Sequence, residues 1–217
     1  MNLDMHIHTT FGSGDSSLTP KQLITESKKN NIQGFLLSEH SGGWDNHSIN
    51  SMFSKTDLFA IPGIEVNTTM GHIIVIGLSS HIDGISNIRT LRKILTQKGG
   101  LMISAHPCRR LFDNPINNSN LLWPDGHNKE LTPEIAAEHP LFSIVDEIET
   151  QNGSNSTKEN EFASKIAELI GVVGIGGSDA HSTEGIGSCY TKFGKSITSS
   201  EELIEAIKSK SFTAISK

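Results

Sequence analysis

Cysteine is almost absent from this chain: Cys108 and Cys189 are the only two among 217 residues. Two thiols cannot build a disulfide framework, so a reducing interior, and with it a cytoplasmic location, is expected. Long apolar runs are lacking as well. No uninterrupted stretch approaches the roughly 20 residues that a membrane span requires. The opening Met1-Asn2-Leu3-Asp4-Met5-His6 has no basic region ahead of an apolar one, so neither export nor a membrane partner is expected. Basic residues come at most in pairs (Lys28-Lys29, Arg92-Lys93, Arg109-Arg110), and 18 Lys+Arg face 24 Asp+Glu. A surface of that kind does not coat long duplex nucleic acid through its phosphates. Histidine alone is plentiful, with 10 against a single tyrosine, which points to chemistry.

Short apolar runs alternate with amphipathic segments, the pattern of an α/β fold. Strands are expected at residues 3–9, 35–37, 58–66, 72–78, 101–105, 144–150, 171–176 and 212–215, with turn-like residues 67–71 between the third and fourth. Thr19-Pro20-Lys21-Gln22 predicts a helix start, with Thr19 as N-cap, Pro20 in the first turn and Gln22 able to close a capping box. Residues 85–97 read as a helix stopped by Gly99-Gly100, residues 158–170 as a second, and Ser199-Ser200-Glu201-Glu202 opens one that runs through Lys208. So many strands with helices between them suggest one small barrel. Residues 109–140 lack clear periodicity, apart from a short helix at 133–138, and read as an excursion at the active site.

Alternation along the first strand would put Leu3, Met5 and Ile7 on one face and Asp4, His6 and His8 on the other. Two imidazoles at i and i+2 can bind one metal ion, and a neighbouring acid such as Asp4 can fix a ring tautomer from behind. His40, Glu65, His106, Asp179 and His181 each fall at or just past the end of an expected strand, while His72 opens one. In α/β barrels parallel strand ends converge on one mouth. Histidines and carboxylates gathered there are costly unless a positive charge neutralises them, and a metal cluster is the obvious candidate.

The ordered set Asp4-Met5-His6-Ile7-His8-Thr9, Asp15-Ser16-Ser17-Leu18-Thr19-Pro20, Ser38-Glu39-His40, Pro62-Gly63-Ile64-Glu65-Val66, Gly71-His72, Ala105-His106-Pro107, Ile148-Glu149-Thr150-Gln151-Asn152-Gly153 and Gly177-Ser178-Asp179-Ala180-His181 resembles the polymerase-and-histidinol-phosphatase (PHP) family of metal-dependent phosphoesterases, nearly end to end. The resemblance implies a single domain over residues 1–217, a distorted (β/α)7 barrel with up to three metal ions at the C-terminal mouth of its strands. It also implies the ligand sets. His6, His8, Glu65 and Asp179 would hold one ion. Glu65 would bridge to a second, completed by His72 and His106. Asp15, His40 and His181 would hold a third.

Mixed imidazole and carboxylate ligation suits two or three divalent ions of zinc, manganese or iron, without selecting among them. Asp15 also reads as a turn residue, and Glu149 with Asn152 also reads as a strand end followed by an Asn-Gly turn. Glu39 stands where many relatives have Asp, and a supporting role behind the ligands is expected for it, as for Asp4 and Glu149. Arg109 and Arg110 could grip a phosphate or form a solvated basic pair. His47, His81, His127 and His139 match nothing and read as exposed loop residues, and Cys108 as a small buried one.

The implied activity is hydrolysis of phosphate esters by a metal-bridging hydroxide, with Asp179 and His181 as catalytic residues. The substrate would be a small phosphorylated metabolite or nucleotide; trimming of short oligonucleotides and a non-catalytic metal module are the alternatives. Deaminases and amidohydrolases also begin with His-x-His, but Asp179-Ala180-His181 together with Glu65 points away from them. Substrate choice is expected to lie in residues 44–55 and 109–140.

Overall fold

A computed structural model describes residues 1–113, 120–124 and 131–217. Its strands are β1 (Asn2–Ile7), β2 (Gly34–Glu39), β3 (Phe59–Thr68), β4 (Gly71–Ile76), β5 (Leu101–Ser104), β6 (Glu147–Asn152), β7 (Ile175–Gly177), β8 (Cys189–Phe193) and β9 (Phe212–Ser216). Its helices are α1 (Pro20–Lys29), α2 (Asn46–Phe53), α3 (Ile88–Lys98), α4 (Pro133–Ala137), α5 (Thr157–Ile170) and α6 (Ser200–Lys208), with a 3-10 turn at Pro140–Ser143.

The strands form one sheet in the order β7-β6-β5-β4-β3-β2-β1-β8-β9. β1, β2 and β3 are mutually parallel, β4 runs antiparallel between β3 and β5, and β5, β6 and β7 resume the common direction. The sheet curls until its ends meet. Just past β7, Asp179 N–H donates to the His6 carbonyl at 2.8 Å, and His8 N–H donates to the Ala180 carbonyl at 3.1 Å. The outcome is a nearly closed barrel of the expected α/β kind, with the β8–β9 hairpin attached to β1.

Alternate strand residues serve opposite faces. Ile74 and Ile76 of β4 pack with Leu3, Met5, Leu36, Ile61 and Ile103 inside the barrel, whereas Ile73 and Val75 pack outward with Leu91 and Leu95 of α3 and Ile166 of α5. The inner cluster continues into Leu203, Ala206 and Ile207, and Met1, Phe59 and Val173, near strand starts, pack against it. α6 therefore stoppers the end of the barrel opposite the mouth.

Local chemistry accounts for the helix ends. The Thr19–Gln22 capping box and Pro20 open α1 as the sequence suggests, and a second box, Ser156–Glu159, opens α5. Gly99 ends α3 in the left-handed conformation at φ 73°, which costs a glycine little. Gly171 does the same for α5 at φ 75°, so the strand expected from residue 171 begins only at Ile175.

Three features depart from the sequence reading. The β1–β2 register shifts between Asp4 and Ile7, so the simple alternation fails: Leu3 and Met5 face the barrel interior while Ile7 packs outward with Leu18, Leu23 and Phe35. Residues 44–55 are not a loop over the mouth. Asp45 caps Ser48 N–H at 2.7 Å to start α2, and Phe53 is buried beneath it. β8 was not expected at all, because its formation depends on pairing with β1 and β9, far away in sequence.

Trp44 is 1% exposed, with its ring 5.6 Å from Phe53 and 4.1 Å from Phe11. Its indole N–H donates to Glu39 at 2.8 Å. Trp44→Ala is expected to cost about 3–5 kcal/mol of stability, as buried aromatic truncations do. Denaturant unfolding measures this, and a wild-type midpoint would contradict the assigned packing.

Candidate metal centre

The expected ligands other than Asp15 and Glu65 come from strand ends or the residues just beyond them, whereas Glu65, expected at a strand end, lies within β3 because pairing with β4 extends that strand to Thr68. β1 supplies His6 and then His8; β2 ends at Glu39 and is followed by His40; β3 carries Glu65; β4 begins with Gly71-His72. His106 follows β5, Glu149 and Asn152 lie in β6, and Asp179 and His181 follow β7. His106 and Asp179 turn off their strands at φ 30° and 54°, a region that most side chains avoid but that His and Asp enter more readily. Gly177 is required just before: a Cβ there would lie 2.5 Å from His6 Cβ and 2.8 Å from a Glu149 oxygen.

Glu65 sits at the centre, 3% exposed. Its Oε1 is 3.0 Å from His72 Nδ1 and 3.0 Å from His106 Nε2, and its Oε2 is 3.6, 3.4 and 3.2 Å from nitrogens of His6, His8 and His40. Asp179 Oδ1 lies 3.4 Å from both His6 Nε2 and His8 Nε2. Asp15 Oδ2 is 3.3 Å from His40 Nε2 and 3.5 Å from His181 Nε2, at the exposed rim. The three ligand groups that the resemblance implies are thus brought together in space. His8 also lies close enough to His40 and His181 to share an ion with them.

Hydrogen bonds behind the rings decide which nitrogens face inward. Glu149 accepts from His6 Nδ1 at 3.2 Å and from the His106 backbone N–H at 2.8 Å, and Asn152 Nδ2 donates to it at 2.8 Å. Ser13 Oγ lies 3.1 Å from His8 Nδ1, accepts from the His40 N–H at 3.0 Å and donates to Glu39 at 2.7 Å. Glu39 is fixed in turn by the Thr9 N–H, the Thr9 hydroxyl and Trp44 Nε1. With both Nδ1 atoms committed, His6 Nε2 and His8 Nε2 face each other at 3.0 Å across one gap, where a cation would take the place of the proton that His6 otherwise holds.

That gap fits a cation. Burial disfavours charge on His6, yet Asp179, Glu149 and Glu65 outweigh it and hold His6 well above the ordinary range. Burial keeps His8 neutral, near pKa 4. Burial opposes ionisation of Glu65 and Asp179 too, but the surrounding rings, and Arg109 beside Asp179, keep both well below the usual carboxylate range. Three buried carboxylates with one guanidinium among them leave an excess of negative charge, which a low-dielectric site tolerates only when compensated. Facing imidazole lone pairs with shared carboxylates are the donor set of divalent transition metals.

Several sequence expectations shift. Asp4 does not touch a ring: its carboxylate accepts from the backbone N–H groups of His6, Ser178 and Gly187, tying β1 to the β7 turn, and burial raises its pKa to about 6. Ring-fixing falls instead to Glu149 and to Ser13. The Ser13 role was not read from sequence, where a serine five residues past His8 carries no distinguishing signal. Arg109 enters the site, pairing with Asp179 and donating to Asn152 Oδ1 at 2.9 Å, whereas Arg110 lies at the exposed edge of the adjoining cavity. His47 is exposed but on α2 rather than in a loop, and exposed His81 bonds the His40 carbonyl at 2.8 Å. His139 is half-buried against Trp123 and Phe142 and caps the 3-10 turn, which corrects its reading as an exposed residue. His127 lies outside the described residues. Cys108 is buried in the outer core, as expected.

Comparison with known proteins agrees with this geometry. Residues 157–212 match the PHP-associated family PHP_C. Over 130 residues the chain is 32% identical to the uncharacterized protein MJ1587 of Methanocaldococcus jannaschii, covering 52% of this chain and 74% of that one. The chain belongs to the PHP family. The fold is shared with a protein described as a metal-dependent phosphoesterase from Bifidobacterium adolescentis, with TM-score 0.60, 14% identity and 95% of both chains covered. It is also shared with the lesion-specific endonuclease PfuEndoQ of Pyrococcus furiosus, with TM-score 0.58, 14% identity, and 98% of this chain and 57% of that one covered.

Ser13→Ala removes the group that orients His8 and holds the His40 backbone. It should leave circular dichroism unchanged and weaken divalent-metal affinity by about 10–100-fold in competition with a chelator. Unchanged affinity would show that the Glu39–Ser13–His8 relay does not set the ligand.

Proposed function

We propose that this protein hydrolyses phosphate esters, with divalent ions of zinc, manganese or iron held by His6, His8, Asp15, His40, Glu65, His72, His106, Asp179 and His181. The observation that carries the reading is the shared Glu65 carboxylate, whose two oxygens face separate groups of imidazoles. Divalent ions bound there supply positive charge for the non-bridging phosphate oxygens and acidify water at neutral pH.

The residues themselves define the rest. Arg109, held by Asn152 and Asn155, aims its guanidinium at the Asp179 carboxylate and can exchange part of that pairing for a phosphate oxygen. Asp179, buried and ionised, accepts a hydrogen bond from the attacking water and so orients it, while the proton of that water, made acidic by the ions when they are bound, passes to solvent. The water oxygen bonds to phosphorus as the bond to the leaving oxygen breaks, and that oxygen must gain a proton. That proton would come from a water held at the rim, where His181, with Nδ1 3.0 Å from the Asp179 carbonyl and Nε2 3.5 Å from Asp15 Oδ2, is placed to help orient it.

The favoured substrate is a small phosphomonoester. End-trimming of short oligonucleotides is a second reading, favoured by Phe11, which is 50% exposed and stacked on buried Trp44, a surface on which a base could lie.

Asp179→Asn should stay folded and lower aryl phosphate turnover by about 10²–10³-fold or more, while His47→Ala should remain within about twofold of wild type, as surface changes do. Steady-state assays before and after chelation and metal repletion measure both. Normal turnover in Asp179→Asn, or indifference to chelation, would overturn the reading.

A further inference from the structure

A cavity of about 330 Å³ opens directly beside the second ligand group. Its lining combines His72, His106, Arg109 and Arg110 with Leu121 and Leu122. The wall is built rather than incidental. Asn120 is 4% exposed, and its amide donates to the Pro107 carbonyl at 2.8 Å and to the Arg109 carbonyl at 2.9 Å. Its side-chain oxygen accepts from the backbone N–H groups of Leu122 at 3.0 Å and Trp123 at 2.8 Å. One buried side chain thus fastens the two leucines to the turn that carries His106 and Arg109. Leu122 packs over Gly71, whose φ of 83° makes the turn into His72. Leu121, at 58% exposed, is among the most solvent-accessible large apolar side chains of the described residues, which a packing role alone does not require.

Imidazoles and arginines lining one cavity together with two leucines match an amphiphilic ligand with its anionic group toward the metal ligands. The volume lies at the small end of the range for small-molecule sites, about 300–1,000 Å³. We propose that this cavity holds the leaving group of the substrate, and that the substrate is the phosphomonoester of one compact alcohol with an apolar face, an aromatic ring or a single nucleoside. The inference rests on the phosphoesterase reading and adds the substrate class to it.

The test separates the two. Binding of methylphosphonate and benzylphosphonate to the metal-replete protein is measured by calorimetry, beside turnover of phenyl phosphate. Wild type should bind benzylphosphonate at least about tenfold more tightly, since one buried ring is worth that much. Leu122→Phe, which fills the cavity, should erase the preference while leaving methylphosphonate affinity unchanged. Leu121→Asp, at an exposed position where folding is not at stake, should cut it severalfold. Equal affinity for the two phosphonates in wild type, or a preference that survives both variants, would overturn the leaving-group site even with phenyl phosphate turned over. Failure to bind either phosphonate or to turn over phenyl phosphate would instead overturn the phosphoesterase reading beneath it.

Discussion

One buried carboxylate organises the mouth of this barrel. Glu65 is surrounded by five imidazoles, two on one oxygen and three on the other, and no strand that carries them could move independently. A carboxylate in such a place is ionised only because positive charge is near, and His6 and His8 are aimed as ligands because Glu149 and Ser13 hold their other nitrogens. The barrel satisfies both needs by bringing β1, β3, β4 and β5 to the same point. The antiparallel β4 is part of this solution: its pairing with β3 sets Asn67 opposite His72, which brings His72 back beside Glu65 after a tight turn. A parallel crossover would have carried that ring away.

Much of the site was legible in the chain itself, because strand ends in an α/β barrel converge and a residue's place at a strand end can be read locally. The i, i+2 pairs His6/His8 and Asp179/His181, and the positions of His40, Glu65 and His106, required only short-range pattern. What escaped depended on contacts between distant segments. The bulge in β1, which lets Met5 and Ile7 part company, is a matter of register against β2. Ser13 matters only because Glu39 and His8 reach it from two different strands. β8 exists through its partners, and α2 is too short and polar for its periodicity to stand out beside the cap at Asp45.

The hydrogen bonds behind the ligands fall into two groups. Glu149 gathers His6, the His106 backbone and Asn152, and Asn152 passes the connection to Arg109. Glu39 gathers Thr9, Ser13 and Trp44, and Ser13 passes it to His8 and His40. Each group links its rings to residues in other parts of the fold, so loss of core packing near Trp44 would be felt at the mouth as ring misorientation.

The stopper formed by α6 gives the barrel the topology of a cup rather than a tube. Traffic through a cup is two-way along a single path. Whatever enters at the mouth must leave on that same side of the barrel, after the fragment that was bound outermost has gone. On the reading proposed above, departure would be ordered by depth: an alcohol lodged toward the leucines would be released while the inorganic ion, held among the histidines, would be the last to go and would compete with each new arrival for the same ground.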